Sequence, residues 1–121
     1  MDIKWNTSLL DLKNLIGISR GDPDQILKYL EQFQKLIPPR LAQLQQGLGK
    51  KDREMIRKIV HQMSPQLQFF GIEGIGTTIT RLEFEYETLP MEELEDLVKH
   101  LIINLESALL EIVRIIRTYF K

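Results

Sequence analysis

Apolar residues recur at intervals of three and four along most of the 121-residue chain, and this spacing predicts helices. The alternation of apolar and polar residues that marks a strand is essentially missing. The clearest stripe follows Asp22-Pro23, where the aspartate suits a helix cap and the proline suits the first helical position. Its phase continues through Pro38-Pro39, so we predict one kinked helix there. The residues of the stripe are Ile26, Leu30, Phe33, Ile37, Leu41, Leu44 and Leu48.

Glycine and proline divide the rest of the chain into further helices. In chain order the pattern predicts a short helix over residues 8–16 broken by Gly17 and Gly21, the helix after Asp22, a turn over 47–51, a third helix capped by Asp52, a glycine turn over 71–76, a fourth helix to about Leu89, and a last helix from about Met91 to Tyr119. Long amphipathic helices with short turns favour an antiparallel bundle. We therefore predict an all-α fold, an antiparallel four-helix bundle with a short extra N-terminal helix as a lid, in a single domain over residues 1–121.

Composition narrows the classes of function. The chain has 16 lysines and arginines against 17 aspartates and glutamates, which argues against nucleic acid as a ligand. It has no cysteine, no apolar run near the roughly 20 residues of a membrane span, and no apolar signal-peptide core at its N-terminus. We expect a cytoplasmic monomer in which this domain does not touch the membrane. The domain could also be excised from a larger, membrane-anchored protein.

His61 is the most informative residue of the third helix. The apolar stripe of that helix comprises Ile56, Ile59, Val60, Met63, Leu67 and Phe70. At about 100° per residue, His61 lies roughly 150° from the centre of the stripe, so its imidazole should face solvent. The residues one turn away are Arg57, Lys58, Ser64 and Pro65. Because none of them is acidic, we expect no carboxylate beside the ring and therefore no hydrolase triad.

Other chemistries are poorly supported. The second histidine, His100, has no ligand partner at a suitable spacing, so we predict no metal site and interpret His100 as a surface residue. The glycines over 71–76 lack the Lys-Ser/Thr of a nucleotide-binding loop. We therefore predict that the chain neither binds ATP nor has an enzyme activity of its own. The remaining hypothesis is that His61 is a nucleophile that accepts a phosphoryl group from another protein. The phosphoryl oxygens could then be bound by Arg57, Lys58, Ser64 and Gln68.

The segment from His61 to Gly71 resembles the phosphoacceptor segment of histidine-containing phosphotransfer (HPt) domains, in which a glycine follows the histidine by ten positions. Gly21-Asp22 with Leu30 and Phe33 resembles the family's second-helix opening, and Leu82-Glu83 its fourth-helix signature. The similarity covers nearly the whole chain.

One departure concerns Ser64-Pro65, which replace the usual Lys-Gly and are similar to a variant in bacterial hybrid sensor kinases. Lys58 or Arg57 could supply the missing charge. Pro65 frees the carbonyl of His61 and should bend the helix so that His61 moves outward, although the bend could equally serve packing.

The resemblance implies a function in two-component signal transduction. His61 would accept a phosphoryl group from a receiver-domain aspartate, become a phosphohistidine, and pass the group to another receiver. The implied partners are response-regulator receiver domains and a sensor histidine kinase, separate or in the same chain. The chain itself would need no cofactor, because Mg²⁺ would belong to the receiver.

Two questions stay open at this stage. Phe69 and Ile72 are expected at the edge of the His61 face as an apolar docking patch, or else Phe69 caps the core. The alternative function is a helical adaptor that binds a receiver or another signalling protein without being phosphorylated, and a bundle with no role of its own is a third possibility.

Overall fold

The computed structural model describes residues 10–72 and 74–120, and it confirms the predicted all-α bundle. Its elements are β1 (Leu10–Asp11), α1 (Lys13–Ile18), α2 (Pro23–Lys50), α3 (Arg53–Leu67), β2 (Gly71–Ile72), α4 (Gly76–Phe84) and α5 (Met91–Tyr119). The four longer helices form a ring in which α3 and α5 both pack between α2 and α4, while α1 packs on α2. No helix in this described part of the chain is long and apolar enough to cross a bilayer.

The α2–α3 hairpin places the third helix firmly against the second. Asp22 caps α2 by accepting the amide of Asp24 at 3.1 Å, and α2 then continues through both prolines, as predicted. Lys51 ends α2 in the left-handed conformation, with φ of 52°. Asp52 follows directly and caps α3 by accepting the amide of Met55 at 3.1 Å. The turn is therefore short, and α3 runs back antiparallel along α2.

Three of the predicted boundaries are wrong. The turn expected over residues 47–51 is confined to Lys51 and Asp52, because α2 continues to Lys50. Gly17 lies inside α1, which begins at Lys13; the predicted start at residues 8 and 9 falls outside the described residues. The fourth helix ends at Phe84, five residues before the predicted Leu89. The residues from 85 to 89, which were predicted as helix, form a loop. The backbone carbonyls of Tyr86 and Leu89 in this loop accept hydrogen bonds from the Nη1 of Arg53. A distant guanidinium thus satisfies carbonyls near the point where Pro90 prevents the helix from continuing.

Gly71 has a role in the fold that its spacing from His61 does not reveal. Leu10–Asp11 pairs antiparallel with Gly71–Ile72, a ladder too short for the sequence pattern to indicate. A Cβ at Gly71 would lie 2.5 Å from the carbonyl oxygen of Asp11, which real structures do not tolerate. The absence of a side chain at Gly71 therefore allows β1 to pair with β2, the segment that follows α3.

We expect Gly71→Ala to lower the free energy of unfolding by about 1–3 kcal/mol, because the two strands must separate to admit the methyl group. Urea unfolding followed by circular dichroism measures this. Gly49→Ala is the matched control, since Gly49 lies in α2 with no atom within 4 Å of its built Cβ and should gain up to about 1 kcal/mol. Equal unfolding midpoints for the two variants would contradict the assigned role of Gly71.

Candidate functional site

His61 projects from the middle of α3 into solvent, with 65% of its side chain exposed. The apolar residues on the opposite side of the helix are all buried, namely Ile56, Ile59, Val60, Met63 and Leu67. The predicted outward placement of the imidazole is therefore what the structure shows. A partner protein can reach the ring without any rearrangement of the bundle.

Glu83 of α4 lies against this ring. Its Oε1 is 3.6 Å from the Nδ1 of His61, and its side chain is only 14% exposed. Within the described residues this buried oxygen has no hydrogen-bond partner. The expectation that no carboxylate stands beside His61 is therefore wrong, because it considered neighbours on the same helix alone. The separation exceeds that of an ordinary hydrogen bond, so the two side chains are adjacent without being hydrogen-bonded, and a small movement would join them.

The packing of α4 explains why Glu83 faces α3. Thr78 and Leu82 are buried in the bundle, which fixes the rotation of α4 about its axis. Glu83 follows Ile79 by one turn, and Ile79 lines the cleft between α3 and α4. The carboxylate consequently lies at the margin of the buried face, close to α3 but beside solvent.

His100 holds the beginning of α4. Its Nε2 lies 3.3 Å from the carbonyl oxygen of Gly74, to which it donates in the Nε2–H tautomer, and 2.9 Å from the Nδ2 of Asn104, from which it accepts in the Nδ1–H tautomer. Gly74 has φ of +86° and leads directly into α4, so the contact ties this turn to α5. His100 is exposed, as predicted, and its surroundings give it a structural role. In the described ranges no three histidine, aspartate or glutamate side chains converge as metal ligands would.

The position of the carboxylate bears on which imidazole nitrogen carries the proton. A carboxylate facing Nδ1 favours the tautomer with its proton on Nδ1 and leaves the lone pair on Nε2. The same carboxylate stabilises the positive charge that the ring acquires when Nε2 forms a bond to an electrophile. His61 and Glu83 together are therefore the candidate nucleophilic pair of this surface.

The two predicted basic residues differ in availability. The guanidinium carbon of Arg57 lies 5.9 Å from the ring centroid of Tyr86, and the buried Nε has no partner among the described residues. Lys58 is exposed and makes no ion pair in this part of the chain. The pKa of Tyr86 is raised, chiefly by its hydrogen bond to Glu87, whereas Arg57 acts in the opposite direction. Lys58 is thus the freer cation of the pair.

Four predicted site residues border a single cleft between α3 and α4, which begins one turn beyond His61. They are Ser64, Gln68, Gly71 and Ile72, and Gly76 and Thr80 of α4 face them. Ile72 and Ile75 are buried and form an apolar floor under the polar rim. Pro65 is exposed, and α3 continues past it to Leu67.

Phe69 does not belong to this cleft. Its ring is half-buried and contacts Tyr29 of α2, with 5.4 Å between ring centroids. Phe69 and Ile72 therefore line different clefts, and their role in docking a receiver stays a prediction. Phe69 packs on the bundle at the α2–α3 side, which was the alternative interpretation.

Comparisons with known proteins agree with this geometry at the level of the fold. No protein-family model matches the chain, and no curated protein is significantly similar to it. Among solved structures it is similar to the HPt domain from the Hpt sensor hybrid histidine kinase from Shewanella, with a TM-score of 0.80. The chain has the HPt-domain fold. Sequence identity is 14%, over 92% of this chain and 96% of the Shewanella domain, so the HPt resemblance noted in the sequence is confirmed for the architecture.

We expect Glu83→Gln to shift the neutral imidazole of His61 from the Nδ1–H tautomer towards the Nε2–H tautomer, because the buried carboxylate no longer favours a proton on Nδ1. Long-range ¹H–¹⁵N NMR of the histidine rings measures the two populations. Glu106→Gln, an exposed change on α5, should leave them unaltered. An unchanged tautomer ratio in Glu83→Gln would show that the carboxylate does not orient the ring.

Proposed function

We propose that this domain is a phosphotransfer carrier of two-component signalling. His61 accepts a phosphoryl group from the aspartyl phosphate of a receiver domain and passes it to another receiver. The observation that carries the proposal is the exposed imidazole with a carboxylate at Nδ1, which leaves Nε2 free to attack. The HPt-domain fold supports the same reading.

The chemistry needs little besides this oriented ring. The lone pair of Nε2 attacks phosphorus in line with the bond to the aspartyl oxygen. That oxygen–phosphorus bond breaks, and its electrons leave with the aspartate carboxylate. The phosphorylated imidazole keeps the proton on Nδ1 and carries a positive charge opposite Glu83. Attack by the carboxylate of a second receiver reverses these steps, with Mg²⁺ supplied by the receiver.

The surrounding residues have distinct proposed roles. Lys58 lies one turn before His61 and supplies positive charge to the phosphoryl oxygens, while Arg57 remains stacked on Tyr86. Ser64 and Gln68 offer hydrogen-bond donors at the rim of the cleft, and its apolar floor at Ile72 accommodates the receiver. We propose the domain acts as a monomer, with the sensor kinase in the same chain or a separate one.

The serine at position 64 favours a second candidate function. Without the family's usual lysine at this position, the domain could bind a receiver as an adaptor and never carry the phosphoryl group. The labelling experiment below separates the two functions, because an adaptor retains the complex but acquires no label.

We expect the wild-type domain, mixed with a ³²P-phosphorylated receiver, to acquire a label that is stable to base and labile to acid. His61→Gln should abolish it, since no other side chain offers the oriented nitrogen. His100→Gln is the matched control and should be labelled like the wild type, because His100 holds a turn instead of reacting. Equal labelling of wild type and His61→Gln would exclude His61 as the acceptor.

We expect Lys58→Ala to slow phosphoryl transfer by about 3- to 10-fold, since it removes an unpaired cation one turn from the phosphorylated ring. Rapid-quench measurement of the single-turnover rate tests this. Lys99→Ala removes an exposed lysine from α5 and should have no effect. If Lys58→Ala transfers at the wild-type rate, the charge comes from elsewhere.

A further inference from the structure

Arg40 of α2 is fastened beside the turn of α3 that carries His61. Its Nη1 donates to the Oε1 of Gln62 at 2.8 Å and to the Oε1 of Gln43 at 3.1 Å. Gln62 follows His61 directly in the chain, and both side chains are exposed. The guanidinium is therefore held at the α2 edge of the surface around His61, on the side away from α4.

The two glutamines orient this guanidinium without neutralising it. Both acceptors are uncharged amides, and Arg40 makes no ion pair within the described residues. Its Nε and Nη2 have no hydrogen-bond partner there either. A guanidinium has five N–H donors in a rigid fork, so the unused edge can bind a carboxylate with two parallel bonds.

Charge is distributed unevenly about His61. The carboxylate of Glu83 lies on the α4 side and is mostly buried, whereas Arg40 lies on the α2 side and Lys58 is exposed between the flanking helices. The exposed carboxylate of Glu54 lies one turn before Lys58, so the positive charge of this surface is centred on Arg40 at its α2 edge. A protein that presents carboxylates around its own reacting group would complement it.

We infer that Arg40 is a docking residue that binds a carboxylate of the partner protein carrying the aspartyl phosphate. The inference rests on the proposed function, because such a partner has an acidic site around its phosphoryl group, in which a carboxylate that does not ligate Mg²⁺ can bind Arg40. Arg40 is hydrogen-bonded to Gln62 on the α2 side, whereas the imidazole of His61 lies next to Glu83 of α4. The guanidinium thus meets the partner's surface and not the transferred group.

A charge at the rim of an interface changes the affinity and its salt dependence more than the chemical step. We therefore expect Arg40→Gln to weaken the apparent Kd for the phosphorylated receiver by about 3- to 10-fold. The transfer rate at saturating receiver should stay within about 2-fold of wild type, and the dependence of the Kd on NaCl should become shallower.

The probes are purified receiver domains loaded with acetyl phosphate and Mg²⁺, used as a panel from which the fastest donor is chosen. Gln43→Glu provides a second variant, because the new carboxylate neutralises Arg40 without removing it and should reproduce the loss of affinity. Arg40→Lys should restore part of it. Arg117→Gln, which removes an exposed arginine near the end of α5, should bind like the wild type. Thermal unfolding of each variant checks the fold.

Each outcome supports or overturns the inference. Unchanged affinity in Arg40→Gln, with His61 still labelled, overturns the docking role and leaves the proposed function standing. A lower saturating rate at unchanged affinity also overturns it, since Arg40 would then act on the transferred group. A wild-type domain that no receiver of the panel labels overturns the proposed function itself, and the docking role with it.

Discussion

The one-sided burial of α3 is the constraint from which the site follows. Ile56, Val60 and Met63 are completely buried against the other helices. A rotation of α3 by one residue, about 100°, would expose part of this stripe and turn polar side chains inward. Because each buried apolar side chain contributes roughly 1.5–3 kcal/mol, that rotation is excluded. The imidazole of His61 is exposed as a direct consequence of what lies on the opposite face.

The same packing holds the carboxylate of Glu83 against the imidazole of His61. α4 is fixed in rotation by Leu82, at its beginning by the contact of His100 with Gly74, and beyond its end by the bonds of Arg53. The Oε1 of Glu83 is thereby buried without another partner. An unpaired buried acceptor costs about 1–3 kcal/mol, and an N–H at Nδ1 would offset this cost once the 3.6 Å separation shortens to hydrogen-bond length. The expected preference for the Nδ1–H tautomer rests on this cost.

The features that depend on a single helix could be predicted from the sequence. The caps at Asp22 and Asp52, the continuous α2 and the outward His61 all follow from local pattern. The local pattern missed the features that need two helices to meet, such as Glu83 beside the imidazole or Phe69 against Tyr29. A signal for Glu83 did exist: with Ile79 and Leu82 facing inward, position 83 falls at the margin of the inner face of α4.

Ser64 and Glu83 lie on the same side of α3, where it packs against α4. Ser64 lines the cleft between α3 and α4 together with Thr80, on the same side of α3 as Glu83. A lysine at position 64 would reach the half-buried carboxylate and compete with the imidazole for it. Serine leaves Glu83 to His61, so in the proposed function the positive charge for the phosphoryl group comes from the other side of α3. Lys58 lies there without an ion-pair partner among the described residues, and Arg40 on the same side is left to contact the partner protein.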